Sequence, residues 1–268
     1  MRILVLGDIV GRPGRKFLTD HLKTFIKNEK ISLCIANGEN AAGGAGITAK
    51  TAHELKIAGI DAITLGDHVW DQKNFENEIE ELDFVCRPAN LPESNPGRDY
   101  LICETEGLKV GVFTVLGRSF MGPKVGCPFS TADRLVTELE KQVDHIICEI
   151  HAETTSEKES IGWYLDGRVG LVFGTHTHVP TADGRILSQG TAYQTDLGMT
   201  GPRESVLGRD INACVGRFLD GMPRKCPVAE SDVGMQGCIF EVRNDGNKFH
   251  SSIERVEYRE GFVKNEPN

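Results

Sequence analysis

The sequence predicts an α/β protein in which five strands deliver polar residues to one edge. Apolar runs of strand length alternate with longer stretches of 3.6-residue periodicity. Five of those runs are followed at once by a carboxylate, an imidazole or both. The 268 residues are ample for a large core, and α/β chains of this length often form one domain, the organisation expected for 1–268.

The elements follow in order. Arg2-Ile3-Leu4-Val5-Leu6 reads as a strand closed by Gly7-Asp8. Pro13-Gly14 opens a helix from Arg15 to Glu29, because Phe17, Leu18, His21, Leu22, Phe25 and Ile26 keep one buried face. Ser32 to Ala36 is a second strand, ending in Asn37-Gly38-Glu39-Asn40. The glycines of the next loop, Gly43, Gly44 and Gly46, let backbone approach the strand ends. Thr48 then caps a helix running to Ala58. Asp61 to Leu65 is the third strand and ends in Gly66-Asp67-His68. A short acidic helix from Asn74 to Leu82 leads to Phe84-Val85-Cys86. Tyr100–Cys103 and Leu108–Val115 form a hairpin across Glu106-Gly107. Ser130 or Thr131 caps a helix to Gln142. His145 to Ile150 is a strand ending in His151. A polar helix from Ser156 to Leu165 precedes the run Val169 to Phe173, which ends in Gly174-Thr175-His176-Thr177-His178. Beyond it lie strand-like pieces at 185–188, 191–194, 237–242 and 251–258, a helix at 210–219, and a loose polar tail at 259–268. This β-rich part offers a surface for a homo-oligomer.

In α/β sheets, ligand sites lie beyond the carboxyl ends of strands. Asp8, Glu39, Asn40, Asp67, His68, His151, His176 and His178 therefore converge on one edge. If the last strand stops at Gly174, the imidazoles of His176 and His178 leave on the same side, two residues apart. Each residue alone has a bland reading: Asp8 as a helix cap, Asn40 as a turn residue, each histidine as a strand end. Together the carboxylates, imidazoles and amide suit a transition metal. They exceed what one ion can use, and two ions about 3.5–4 Å apart with a bridging carboxylate fit the count. His68 adjoins a ligand, which suits a proton donor. Asp71, three residues on, either hydrogen-bonds His68 or caps the helix ahead of Asn74.

The motifs Gly7-Asp8, Glu39, Gly66-Asp67-His68 and Gly174-Thr175-His176-Thr177-His178 resemble those of calcineurin-like metallophosphoesterases. Gly11-Arg12-Pro13-Gly14 and Asn37-Gly38-Glu39-Asn40-Ala41-Ala42-Gly43-Gly44 are similar to the YmdB-type branch, a likeness that covers nearly the whole chain. The resemblance implies a four-layer α/β/β/α sandwich of two mixed sheets flanked by helices. It implies phosphodiester hydrolysis, with cyclic nucleotides such as 2′,3′-cyclic AMP as substrates. It implies that Asp8, Glu39, Asn40 and His178 hold one metal, that Glu39, Asp67, His151 and His176 hold the other, and that His68 is the proton donor to the alkoxide displaced by a metal-bound hydroxide. The expected cofactors are two divalent transition-metal ions, iron, manganese or zinc, with iron or manganese favoured. Two positions depart from the wider superfamily: Val10 stands where it has a histidine, and Asp67 where it has an asparagine.

The formal net charge of −9 argues against long nucleic acid as the main ligand, since a phosphate polymer needs a basic footprint. A small nucleotide or other phosphodiester remains suitable, because the metals supply the local positive charge. No apolar run approaches the ~20 residues of a membrane span, so no membrane partner is expected. The eight cysteines form no Cys-x-x-Cys pair and read as free thiols in a reducing compartment, and the expected location is the cytoplasm. The alternative to a phosphodiesterase is a non-catalytic or weakly catalytic regulatory protein that binds metal or nucleotide on the same fold.

Overall fold

The structure, a computed structural model, describes residues 1–242 and 251–259. The first part of the chain gives β1 (Arg2–Leu6), β2 (Asp8–Ile9), α1 (Gly11–Glu29), β3 (Leu33–Asn37), α2 (Ala49–Ala58), β4 (Ala62–Thr64), α3 (Phe75–Glu78) and β5 (Val85–Cys86). Then come β6 (Leu101–Thr105), β7 (Leu108–Leu116), α4 (Pro128–Leu139), β8 (His145–His151), α5 (Thr155–Tyr164), β9 (Leu171–Thr175), β10 (Arg185–Ile186) and β11 (Ala192–Gln194). The last elements are β12 (Met199–Pro202), α6 (Ile211–Asp220), β13 (Val233–Val242) and β14 (Ser251–Arg259).

Strand alternation sorts the side chains into layers. In β1, Ile3 and Val5 enter one apolar cluster and Leu4 and Leu6 another. Leu4 and Leu6 pack with Phe17, Leu18 and Leu22 of α1 and with Leu55 of α2. Ile3 and Val5 meet Val110, Val112, Ile147 and Phe173 of a second sheet. The far face of that sheet, with Phe113 and Cys148, is covered by Leu135 and Leu139 of α4 and Ile161 of α5. The result is helices, sheet, sheet, helices: the four-layer arrangement expected.

Both sheets are mixed. The first runs β5-β4-β3-β1-β13-β14, with β12 pairing with β13 and β2 pairing with β12. The second runs β10-β11-β9-β8-β7-β6. In the first, β1, β3, β4 and β5 are parallel; in the second, β7, β8, β9 and β11 are. The carboxyl ends of these parallel strands carry the polar residues singled out above.

Several boundaries differ from the sequence reading, each for a local reason. β9 begins at Leu171 and runs through Gly174 to Thr175, held by pairing of Ile150 with Gly174 and His151 with Thr175. His176 and His178 follow in left-handed backbone, with φ of 94° and 61°. Their common direction thus comes from a strained turn and not from strand alternation; such strain gathers at functional sites. α4 starts at Pro128, with Cys127 and not Ser130 or Thr131 at its N-cap, because proline suits the first helical position. α1 starts at Gly11, taking Pro13 into its first turn, where no donor is lost. The short β2 and β12 had no periodic signal. Thr48 caps α2 through a reciprocal bond with Thr51, and Arg259 closes β14, while the rest of the predicted tail lies outside the described residues. Among the described residues no helix is long and apolar enough to cross a membrane, and all eight cysteines are free.

Candidate metal centre

The carboxyl ends of β1, β3, β4, β8 and β9 meet where the two sheets adjoin. Glu39, Asp67, His151 and His176 each present a ligand atom there, all within 4.8 Å of one another. His151 Nε2 lies 3.2 Å from Glu39 Oε1, 2.9 Å from Asp67 Oδ1 and 3.1 Å from His176 Nδ1. Asp8, Glu39, Asn40 and His151 are all buried.

Hydrogen bonds behind the cluster fix which imidazole atoms face it. Glu149 is fully buried and accepts from Asn37 Nδ2 at 2.6 Å, Thr114 Oγ1 at 3.0 Å and Thr175 Oγ1 at 2.5 Å. The Thr175 hydroxyl has one proton, and Glu149 receives it. Its oxygen therefore accepts from His151 Nδ1 at 2.8 Å, leaving the Nε2 lone pair toward Glu39 and Asp67. His176 Nε2 donates to Glu153 at 3.1 Å, which leaves its Nδ1 lone pair toward Asp67 and His151. Four acceptor atoms then face one another, an arrangement that calls for a cation. Without a cation, the same carboxylates favour a proton there. Burial opposes charge on His151, yet Glu39 and the hydrogen-bonded Asp67 outweigh it and raise its pKa well above the usual imidazole value. Burial likewise opposes charge on Asp67, and the bonds from His151 and His176 hold it below the carboxylate range.

A second convergence lies beside the first. His178 Nδ1 donates to the Leu207 carbonyl at 3.1 Å, so its Nε2 lone pair points inward. Asn40 spends its amide nitrogen on the Gly44 carbonyl at 3.3 Å, which turns its oxygen to within 3.0 Å of His178 Nε2. Asp8 Oδ1 stands 4.0 Å from that nitrogen, buried and with no hydrogen-bond partner. Burial raises the Asp8 pKa to about 8. An orphaned carboxylate oxygen facing an imidazole lone pair and an amide oxygen fits a second cation.

Backbone amides aim the carboxylates: His176 N donates to Asp8 Oδ2, and His68 N to Glu39 Oε2, both at 3.1 Å. Gly66 must lack a side chain, because a Cβ there would collide with Glu39 Oε2 and the His151 ring. His68 faces the same cleft, and its Nδ1 is 2.7 Å from Asp71 Oδ2. Asp71 caps no helix; Asn74 precedes α3 in left-handed backbone. Burial lowers the His68 pKa, but Glu39, Asp67 and Asp71 together raise it above the usual value.

Comparison with known proteins bears on this geometry. The family model described as YmdB-like protein matches residues 4–256. The chain belongs to the YmdB-like family. It is 43% identical over 256 residues to the 2′,3′-cyclic-nucleotide 2′-phosphodiesterase of Bacillus subtilis (strain 168), covering 96% of each chain. The crystal structure of a novel phosphatase from Mycoplasma pneumoniae superposes with a TM-score of 0.88 at 34% identity, over 97% of this chain and 94% of that one. That of a hypothetical protein from Thermus thermophilus gives 0.87 at 39% identity, over 96% and 99%.

Within this YmdB-like chain the two departures have distinct settings. Val10 is fully buried, and any side chain at Gly201 or Gly208 would press on it, so position 10 lies in apolar packing. Asp67 sits in the cluster itself. The sequence reading overlooked Glu149, Thr175 and Glu153, which orient the histidines. Glu149 was open to inference: it lies two residues before His151 on the same strand, so both face the same way. Also overlooked was a buried ion pair, Lys158 to Asp196 at 2.7 Å. Asp196 Oδ2 accepts from Thr177 N at 3.1 Å and Thr177 Oγ1 at 2.7 Å, pinning the residue between the two histidines.

Proposed function

We propose that this chain is a dinuclear metal phosphodiesterase acting on small phosphodiesters, cyclic nucleotides such as 2′,3′-cyclic AMP among them. That it is a metal-dependent phosphoesterase follows from its family, its fold and the cluster. The finer reading rests on one observation: two adjacent sets of nitrogen and oxygen ligand atoms, on either side of Glu39. Asp8, Glu39, Asn40 and His178 would hold one ion; Glu39, Asp67, His151 and His176 would hold the other, with Glu39 shared. Iron or manganese suits this mixture of imidazole and oxygen donors. When bound, such a pair polarises phosphoryl oxygens and acidifies water to near neutrality.

The protein's own residues supply the rest. His68, held by Asp71, is at the cleft and carries a raised pKa, so it keeps a proton for the leaving alkoxide. Thr175 and Glu149 hold His151, and Glu153 holds His176, against rotation. The name of the Bacillus relative supports a 2′,3′-cyclic nucleotide as substrate.

Elemental analysis of chain reconstituted with Mn(II) or Fe(II) should find close to two ions per chain, together with turnover of 2′,3′-cyclic AMP and of an aryl phosphodiester. One ion or fewer would remove the dinuclear reading. Two ions without turnover of any diester would favour a regulatory metal- or nucleotide-binding protein.

A further inference from the structure

A cleft of about 770 Å³ opens from the metal centre toward α6. That volume falls in the usual range for small-molecule sites, about 300–1,000 Å³. Its near wall is Glu39, Asn40, His68, His176 and His178; its far wall includes Arg209, Arg217 and Phe218. Asp210 caps α6 by accepting from Ala213 N at 2.8 Å, which holds the helix as part of that wall.

The far wall has two features that the metal chemistry does not use. The first concerns charge. Arg209 is committed: its guanidinium donates to the carbonyls of Gly44 at 2.5 Å and Gly43 at 3.5 Å. It thereby holds the loop that orients Asn40. Arg217 is not committed. It lines the same cleft and, among the described residues, its exposed guanidinium makes no side-chain hydrogen bond or ion pair. Arg217 is exposed and opens on the same cleft as the carboxylate of Glu39. Cations bound at the cluster would already supply positive charge to the scissile phosphate. A planar fork of donors suits a different phosphate.

The second feature is apolar. Phe218 is 85% exposed, although it lines the cleft. An aromatic ring left open beside a nucleotide-sized space offers a base a stacking surface.

We infer that Arg217 and Phe218 form a nucleoside-phosphate subsite. The substrate class is a nucleotide whose diester lies at the metal centre, whose base stacks on Phe218, and whose second, non-scissile phosphate is bound by Arg217. A 2′,3′-cyclic nucleotide bearing a 5′-phosphate has this form. The inference rests on the phosphodiesterase reading for the position of the diester, but its test is a binding measurement and stands apart from turnover.

Calorimetry on the metal-loaded chain compares two product-like ligands, adenosine 3′-phosphate and adenosine 3′,5′-bisphosphate. The unmodified chain should bind the bisphosphate about tenfold or more tightly, the scale of one charge-assisted bond. Arg217→Ala should erase that preference and leave the monophosphate nearly unaffected, and Arg217→Lys should restore part of it. Phe218→Ala should weaken both ligands about five- to hundredfold, as stacking would require. Both residues are exposed, and thermal melts of the variants check that the fold is kept. Equal affinity for the two ligands in the unmodified chain overturns the inference. So does Arg217→Ala weakening both alike. A Phe218→Ala variant that shifts the elution volume toward a smaller species, with ligand affinities unchanged, would assign the ring to contact with a second copy and overturn its role here. Turnover of bis(4-nitrophenyl) phosphate, followed on the same samples, reports separately on the reaction assigned above.

Discussion

Lys158→Met tests how the histidine loop is held. Lys158 and Asp196 are each 1% exposed, and their ion pair lies under Gly174 at the end of β9. Methionine keeps most of the stem volume and removes only the ammonium. Breaking a buried pair by deleting one partner costs about 3–5 kcal/mol, because the other charge is left uncompensated. Asp196 would retain three donors: Thr177 N and Oγ1 on one oxygen, and Gly198 N on the other at 2.8 Å. The cost should therefore sit near the low end, about 3 kcal/mol. Adding Asp196→Asn removes the stranded charge and should recover at least half of the loss. Since Asp196 also pins Thr177, Lys158→Met should weaken metal binding at the proposed centre as well. Urea denaturation gives the stability and a metal titration gives the affinity. A loss below about 1 kcal/mol, the size of an ordinary exposed pair, would refute the reasoning. So would a double variant no more stable than the single one.

Further expected outcomes concern the centre itself. His68→Ala should keep the metal content and cut turnover about 10²–10⁴-fold on poor leaving groups, with a smaller loss on nitrophenyl esters that need no acid; an equal loss on both would exclude proton donation. Asp67→Asn lowers the carboxylates of the whole centre from three (Asp8, Glu39, Asp67) to two, so at saturating metal it should raise turnover and shift the pH–rate profile toward acid. A saturated variant that is neither faster nor shifted would show that charge does not limit this site. In the metal-free chain, Asp8 and His151 both have raised pKa values. The stability such groups give is present below their unfolded pKa values and is lost as pH rises through the folded ones. The metal-free melting temperature should thus fall between pH ~6 and ~8, while metal at about 100 times its Kd should restore roughly 5–10 °C. A melting curve independent of pH in that interval would contradict the burial of charge described here.

The fold was legible because its signals are local and repeated. Ile3, Val5, Leu33 and Ile35 alternate with Leu4, Leu6, Cys34 and Ala36, and the two sets fill different layers. The end of each strand was legible because Asp8, Asp67 and His151 break an apolar run abruptly. What the sequence hid was set by long-range contacts. β2 and β12 pair over two residues each, Met199 with Asp8 and Thr200 with Ile9, too short for any period. The turn at His176 and His178 is left-handed because Asp196, some 20 residues on, captures Thr177 and Asp8 captures the His176 amide. No spacing in Gly174-Thr175-His176-Thr177-His178 encodes that. The amide of Asn40 faces the centre only because Gly44 takes its nitrogen, and Gly44 in turn is held by Arg209.

One strand shows how a buried core and a charged centre can share the same alternation. Along β8, Ile147, Glu149 and His151 are successive residues on the face between the sheets. Ile147 lies in the apolar inter-sheet cluster. Glu149 is just as buried but sits among Asn37, Thr114 and Thr175, which satisfy its oxygens with three donors. His151 reaches the cluster, where its outer nitrogen meets two carboxylates. Removing a buried acceptor that three donors rely on leaves those donors unpaired, at about 1–3 kcal/mol for each group. Glu149 therefore bridges two environments that neither of its neighbours could join. It closes the apolar layer with a fully bonded polar group, and through Thr175 it sets the tautomer of His151. A leucine at this position would extend the core by one residue and free the imidazole to turn its proton toward the place where a cation belongs.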